Sequence, residues 1–353
     1  MTTSFLGGRS PARGRPHRNS RWPARLAPEL PDWHHLAQRS VNSAGVRFVT
    51  KTLLARPLPA IIALLLNALH AYADDSRPTS GPAPNTVDKT QYTLCNPTPA
   101  VQMRAMDADR PNITNTPHAI DAGHLQIETG IIDFAYFRVH SPDDNVRKSD
   151  VAFGQFNFRL GVLNYLEVNA IIHAYDLVQA HNYGAGTFTR AGSFGDSGFG
   201  GKLNLWGDEG GDNIWGTAMA IQPQFKIPTA RNHVGNGHLE FEVGAPFLMN
   251  LPAAFHLGLQ PGVSRERNSD NNGYVTGLPI SISVDRVVVG NVDVYFEYAC
   301  RLTTEKHVET EQTVDVGGTY PLSDNIVLDV GMNLGLNRAA NNIEALTGIS
   351  VRF

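Results

Sequence analysis

A chain of 353 residues with 18% charged residues and 33 glycines has the composition of a folded protein of one large or two ordinary domains, which excludes a disordered one. Its formal charge of -4 is unevenly spread: residues 1–73 hold ten Lys/Arg against Glu29 and Asp32, leaving 19 basic and 31 acidic residues beyond them. An acidic body with no basic stripe argues against a nucleic-acid partner, and two cysteines, Cys95 and Cys300, are too few for a disulfide framework or a Cys-rich zinc site, leaving only a single pairing open.

From Arg47 the chain reads RFVTKTLLARPLPAIIALLLNALHAYADD. Basic residues, an apolar stretch from Leu58 to Leu69 and the small-residue site Ala71-Tyr72-Ala73 follow in the order of a secretory signal peptide, placed at 46–73 with cleavage at Ala71 and Ala73. A buried core helix is the competing reading, and a membrane-spanning helix needs about 20 apolar residues, more than this run offers. Residues 1–45, rich in Arg, Pro and Ser, read as a non-native or disordered extension, with translation expected to start nearer Val46. Residues 74–123 are rich in Pro, Asp, Thr and Asn without a sustained period, and read as an irregular periplasmic or plug-like segment.

From His124 to Phe353 the pattern has period two. Leu125, Ile127 and Thr129 alternate with Gln126, Glu128 and Gly130, before a bulge expected at Ile131-Ile132 shifts the phase. Phe156, Phe158, Leu160 and Val162 then oppose Asn157, Arg159 and Gly161. Twelve such segments follow one another, at 124–138, 150–162, 166–177, 195–206, 213–227, 237–251, 254–266, 273–284, 287–301, 307–321, 325–337 and 343–353. Tight connections are expected at Asn164-Tyr165, Pro252-Ala253, Asp285-Arg286 and Ser323-Asp324, and long loops at 139–149 and 178–194. The fold class that follows is all-β, a transmembrane antiparallel up-and-down β-barrel of about 12 strands over 124–353.

A soluble sandwich also uses alternating strands. What separates the two is where the polar face lies: Glu128, Arg159, Glu167, Lys202, Lys226, Asp293, Glu297, Asp315, Asp329 and Arg352 sit in mid-segment opposite apolar residues. In a barrel these would line the lumen and the apolar face would meet lipid. Export signal, strand length and loop asymmetry favour the barrel, since a closed sheet satisfies every backbone group in lipid. The last strand ends on Ile349, Val351 and Phe353 along the lipid-facing side, with Arg352 inward. It resembles the C-terminal signature of bacterial outer-membrane proteins, which implies the barrel-assembly machinery as a partner.

A family resemblance covers Tyr92 to Phe353. Its pieces are N-P-T-P at Asn96 to Pro99, D-R-P at Asp109 to Pro111, T-N-T-P at Thr114 to Pro117, and D-A-G-H at Asp121 to His124 followed by Gln126 and Glu128. GSFGDSGFGGK from Gly192, PQFKIPTA from Pro223 and LGLNRAANNIEALTGISVRF from Leu334 continue it. These resemble the transporter-annotated outer-membrane proteins of the family named for a MetA pathway of phenol degradation. Asn112, where an acidic residue is the rule, and Gly201, where a larger one is, depart from the pattern. The resemblance implies a barrel in the outer membrane and passage of a small solute.

No catalytic constellation competes. Gly-Asp-Ser-Gly around Ser197 does not meet G-x-S-x-G, the Gly-rich run before Lys202 lacks the spacing of a phosphate loop, and His124, His173, His238 and His256 show no metal spacing. The expectation is therefore not an enzyme, without cofactor or metal, but a channel passing small, aromatic or weakly hydrophobic solutes through a narrow charged lumen. A structural or surface-binding barrel working through loops 139–149 and 178–194 is the first alternative, and an outer-membrane lipid hydrolase the second.

Overall fold

The computed structural model describes residues 88–140, 145–207 and 216–353. The expected signal peptide, its cleavage site and the extension before it lie outside these residues. Fourteen strands occur among them: β1 Leu125–His140, β2 Asn145–Leu163, β3 Leu166–Asn182, β4 Thr187–Ser193, β5 Ser197–Trp206, β6 Thr217–Ile227, β7 Glu240–Gly244, β8 Phe247–Leu251, β9 Phe255–Arg267, β10 Tyr274–Val289, β11 Val292–Thr303, β12 Glu311–Ser323, β13 Ile326–Gly335 and β14 Ile343–Arg352.

Two of the twelve staves are interrupted, which reconciles fourteen strands with twelve segments. β4 and β5 pair successive stretches of β3, and β7 and β8 lie end to end between β6 and β9. Every pairing is antiparallel and the cycle closes, β9 against β10 and β14 against β1. Thr129 faces Ile349 and Ile127 faces Val351 across the β1–β14 seam, as expected for the closing strand. Apart from β4, which pairs with β3 alone, the strands are paired on both sides, so backbone groups find partners inside the sheet, the condition for crossing lipid.

The phase shift expected near Ile131 is present: pairing with β14 passes from Gly130 to Ile132, so Ile131 and Ile132 both end up exposed and the alternation resumes with Asp133 inward. The fold is inside out relative to a soluble protein. Gln126, Glu128, Arg159, Glu167, Lys202, Glu297 and Asp315 are at most 1% exposed, while Phe153, Val168, Ile172, Ile280, Phe296 and Val330 are each at least 40% exposed. Exposed Tyr165, Trp206 and Tyr320 at one end and Tyr175, Tyr183 and Tyr274 at the other supply the aromatic rims typical of outer-membrane barrels. Closed pairing and an apolar exterior around a polar interior exclude the sandwich and place the chain in the outer membrane.

Three expected boundaries were wrong. The long loop expected at 139–149 is mostly strand, since β1 runs to His140 and β2 begins at Asn145. No turn forms at Asp285-Arg286: β10 runs on through Val289, and the chain reverses at Gly290, with φ +58. The left-handed conformation needed there suits glycine and not a polar pair inside a strand. The long loop expected at 178–194 is mostly strand, since β3 continues to Asn182 and returns as β4. Its side chains are polar because this hairpin extends past the apolar belt, and polarity alone had suggested a loop.

Candidate functional site

Residues 88–124 precede the barrel and bond extensively to its inner wall. Asp121 accepts hydrogen bonds from Lys89 Nζ at 3.2 Å and from the Arg104 backbone N–H at 2.9 Å, which closes residues 104–121 into a loop at its base. Asn164, in the turn after β2, accepts from the Thr98 hydroxyl and the Ala122 N–H. Gly161 permits the approach, because a Cβ there would overlap the carbonyls of Ile120 and Asp121. A strand glycine at a backbone crossing has this use.

The loop meets one wall through charge. Arg159 Nη1 lies 2.6 Å from Glu128 Oε1, its Nε 2.8 Å from Glu167 Oε1, and Lys202 Nζ 2.8 Å from Asp109 Oδ1. Asp109 belongs to the loop, so two basic and two acidic wall residues bury a fifth charge supplied by it. The Asp109 N–H donates to Glu128 and the Ile120 N–H to Glu167, while Arg159 and Lys202 both donate to the His118 carbonyl. Within the loop, Asp107 is held down at about 2 by the hydrogen bond and charge of His118, the Thr116 hydroxyl and the charge of Lys202.

The facing wall meets the loop through neutral groups and one carboxylate. Glu297 accepts from the N–H groups of Ile113 and Thr114, both at 2.7 Å, and from the Thr114 hydroxyl. That hydroxyl also lies 2.7 Å from Ser281 Oγ, and Gln260 accepts from the Asn115 N–H. At the seam Arg110 reaches Asp133 at 3.2 Å and Asp329 at 3.4 Å.

Position along each strand shows what the loop divides. On β6, Ala218 lines a cavity at the short-turn end, Gln222 bonds the loop, and Lys226 lines a second cavity at the opposite end. On β11 the same order is Asp293, Glu297, Arg301, and on β10 Asp285, Ser281, Val275. The inner cavity, beside the turns at Pro252–Ala254 and Gly290, measures about 720 Å³. The outer cavity measures about 560 Å³, with Asp150, Asp176, Glu240 and Glu311 among its acids and Lys226 and Arg301 among its bases.

All ten charged positions singled out in the sequence lie on strands with side chains away from the exterior. Glu128, Arg159, Glu167, Lys202, Glu297 and Asp329 touch the loop or pair with a residue that does; Arg352 donates to the Arg104 carbonyl. Lys226 bonds Glu240 at 2.7 Å in the outer cavity, Asp315 accepts from Thr313, and Asp293 faces the inner cavity. Cys95 and Cys300 are both free. The sequence reading missed Asp109, Arg110 and Thr114 as partners of these groups, and Asp121 as the residue that closes the loop. Their signal was present in the D-R-P and T-N-T-P pieces, which fall on the loop, and in D-A-G-H, whose Asp121 ends it.

Residues 108–353 match the family described as "Putative MetA-pathway of phenol degradation". The chain belongs to this family. Among solved structures it is similar to an outer-membrane channel from Pseudomonas putida F1, with 10% identity over 72% of this chain and 99% of that one and a TM-score of 0.48. It is also similar to the transport unit of the autotransporter AIDA-I from Escherichia coli, with 10% identity, 70% and 92% coverage and a TM-score of 0.43. A third is the CymD monoaromatic hydrocarbon channel, with 10% identity, 65% and 87% coverage and a TM-score of 0.35. No curated protein matches the sequence. The barrel assignment rests on the strand pairing itself.

Proposed function

We propose that this member of the family is an outer-membrane channel for small solutes in which the loop 104–121 is the constriction. The observation that carries it is the pair of cavities, about 560 and 720 Å³, kept apart by a loop bonded to both walls. A twelve-stranded barrel lies between the filled interior of eight strands and the open channel of sixteen, so one inserted loop is enough to restrict it. Passage requires the loop to leave one wall. The weakly held one carries Gln260, Ser281 and Glu297, whose contacts with Ile113, Thr114 and Asn115 are uncharged on the loop's side.

A solute with a small apolar ring and one polar group suits an outer cavity that mixes Phe137, Val146 and Val275 with acids and bases, and agrees with the family's description. The terminal Phe353, 66% exposed beside Leu125, is proposed as the residue read during assembly, so Phe353→Asp slows barrel formation without blocking export.

The test is conductance in planar bilayers. A Thr114→Cys/Ser281→Cys pair, in a chain with Cys95 and Cys300 replaced by Ser, joins two side chains whose oxygens now lie 2.7 Å apart. Oxidation is expected to abolish solute flux and reduction to restore it, while deletion of 104–121 raises conductance. Equal flux in all three states would refute the proposal.

A further inference from the structure

Strand pairing brings together three side chains that lie far apart in the sequence. His256 on β9 stands directly opposite Asp285 on β10, and Asp293 on β11 stands opposite Val287, two residues along β10 from Asp285. The pairing of β10 with β11 shifts register just beyond, between Val287 and Val289, and such irregularities commonly re-aim a neighbouring side chain. One donor atom from each residue falls within 4.8 Å of the other two, and all three residues line the inner cavity.

We propose that His256, Asp285 and Asp293 form a binding site for a divalent transition-metal ion on the wall of the inner cavity. The charge fits: a neutral imidazole and two carboxylates sum to minus two, and the one ion pair either carboxylate makes among the described residues is that of Asp285 with His256. The neighbouring cation, Arg286, turns away, its guanidinium 4.9 Å over the Phe255 ring. One oxygen of Asp293, Oδ1, is shielded from solvent and has no hydrogen-bond partner among the described residues. A buried carboxylate oxygen without a donor is costly, and a cation supplies what it lacks.

The donor set also chooses the class of ion. One nitrogen and carboxylate oxygens suit zinc, cobalt or manganese, whereas copper(I) selects sulfur and calcium takes oxygen alone. Asp285 Oδ2 and His256 Nδ1, 2.7 Å apart, either share the ion or leave Asp285 to orient the ring while Nε2 binds it, the usual role of a carboxylate behind a metal-bound histidine. The cavity is wide enough for water to complete the coordination shell. Three adjacent strands of a closed sheet hold the ligands, so little ordering accompanies binding.

The experiment uses the full mature chain, extracted in detergent, stripped with chelator and titrated calorimetrically with zinc and, separately, by the electron paramagnetic resonance of manganese. One saturable site per chain is expected. Asp293→Asn and His256→Gln should each weaken it more than about tenfold, the least that loss of an outer-sphere partner costs. Asp150→Asn, in the outer cavity, should leave it unchanged. Absence of a saturable site, or variants that bind like the native chain, would overturn the proposal. Heat-modifiable mobility in gels checks that each variant has closed its barrel. Should either fail that check, the visible spectrum of cobalt in the native chain decides: bands of a mixed nitrogen and oxygen field sustain the site, and the spectrum of the free aqua ion refutes it.

Discussion

The wall formed by β1, β2, β3 and β5 and the wall formed by β9, β10 and β11 hold the same loop by different means. The first buries Glu128, Arg159, Glu167 and Lys202, none more than 1% exposed, and closes them with Asp109 from the loop. The second offers Gln260, Ser281 and Glu297 to backbone N–H groups and one hydroxyl. Opposite charges packed at 2.6 to 2.8 Å lose their partners only at great cost, because water is not there to replace them. The loop brings no charge to this wall, so its withdrawal breaks hydrogen bonds, the stronger ones those to the buried Glu297 carboxylate, but separates no ion pair. The difference assigns the first wall as anchor and the second as the side on which the loop opens.

The largest effect should come from breaking the anchor. Arg159→Met leaves Glu128, Glu167 and Asp109 without their common partner, and a loss of about 3–5 kcal/mol in unfolding free energy is expected, read by denaturant titration of the refolded barrel. A change below about 1 kcal/mol would mean the charges are solvated and the walls are alike. On the facing wall the two sides of β11 separate membrane from lumen. Phe296→Arg, on the exterior, should destabilise by about 2–4 kcal/mol near the midplane, whereas Glu297→Gln beside it keeps an acceptor oxygen, should cost about 1.5–3 kcal/mol for its charge-assisted bonds to the loop, and should raise conductance. Reversal of that order would place the apolar face inside.

A smaller effect is expected from Ser281→Ala, which removes one hydroxyl contact of Thr114 and should cost at most about 1 kcal/mol while increasing the frequency of channel opening. Smallest is the acid response of the loop. Asp107 is depressed to about 2 by its partners, so its contribution is complete above the usual carboxylate value near 4 and is lost as pH falls toward about 2. Amide exchange in residues 104–121 should therefore quicken over that interval in the native chain and show less pH dependence in Asp107→Asn.

How much of this was readable in advance differs by level. The alternation of Leu125, Ile127 and Thr129 with Gln126, Glu128 and Gly130 reports directly which face each residue takes, because side chains on a strand point to opposite sides in turn. The same rule located the slip at Ile131-Ile132 and the inward placement of Arg159 and Arg352. It failed at Asp285-Arg286, where two polar residues inside a barrel strand look like a turn, and at 178–194, where a hairpin beyond the apolar belt loses its apolar face. The loop had no period to read. Its residues are placed by partners distant in the chain, such as Glu128 for Asp109, 19 positions away, Glu297 for Ile113, 184 away, and Arg352 for Arg104, 248 away.

The sequence by itself determined a closed, inside-out barrel of twelve staves, because period-two alternation is a local property and lipid leaves few other ways to satisfy the backbone. Only the tertiary structure decided which charges meet. The D-R-P and T-N-T-P pieces become a constriction, and His256, Asp285 and Asp293 become neighbours, through the register of strands that hydrogen bonds fix between distant parts of the chain.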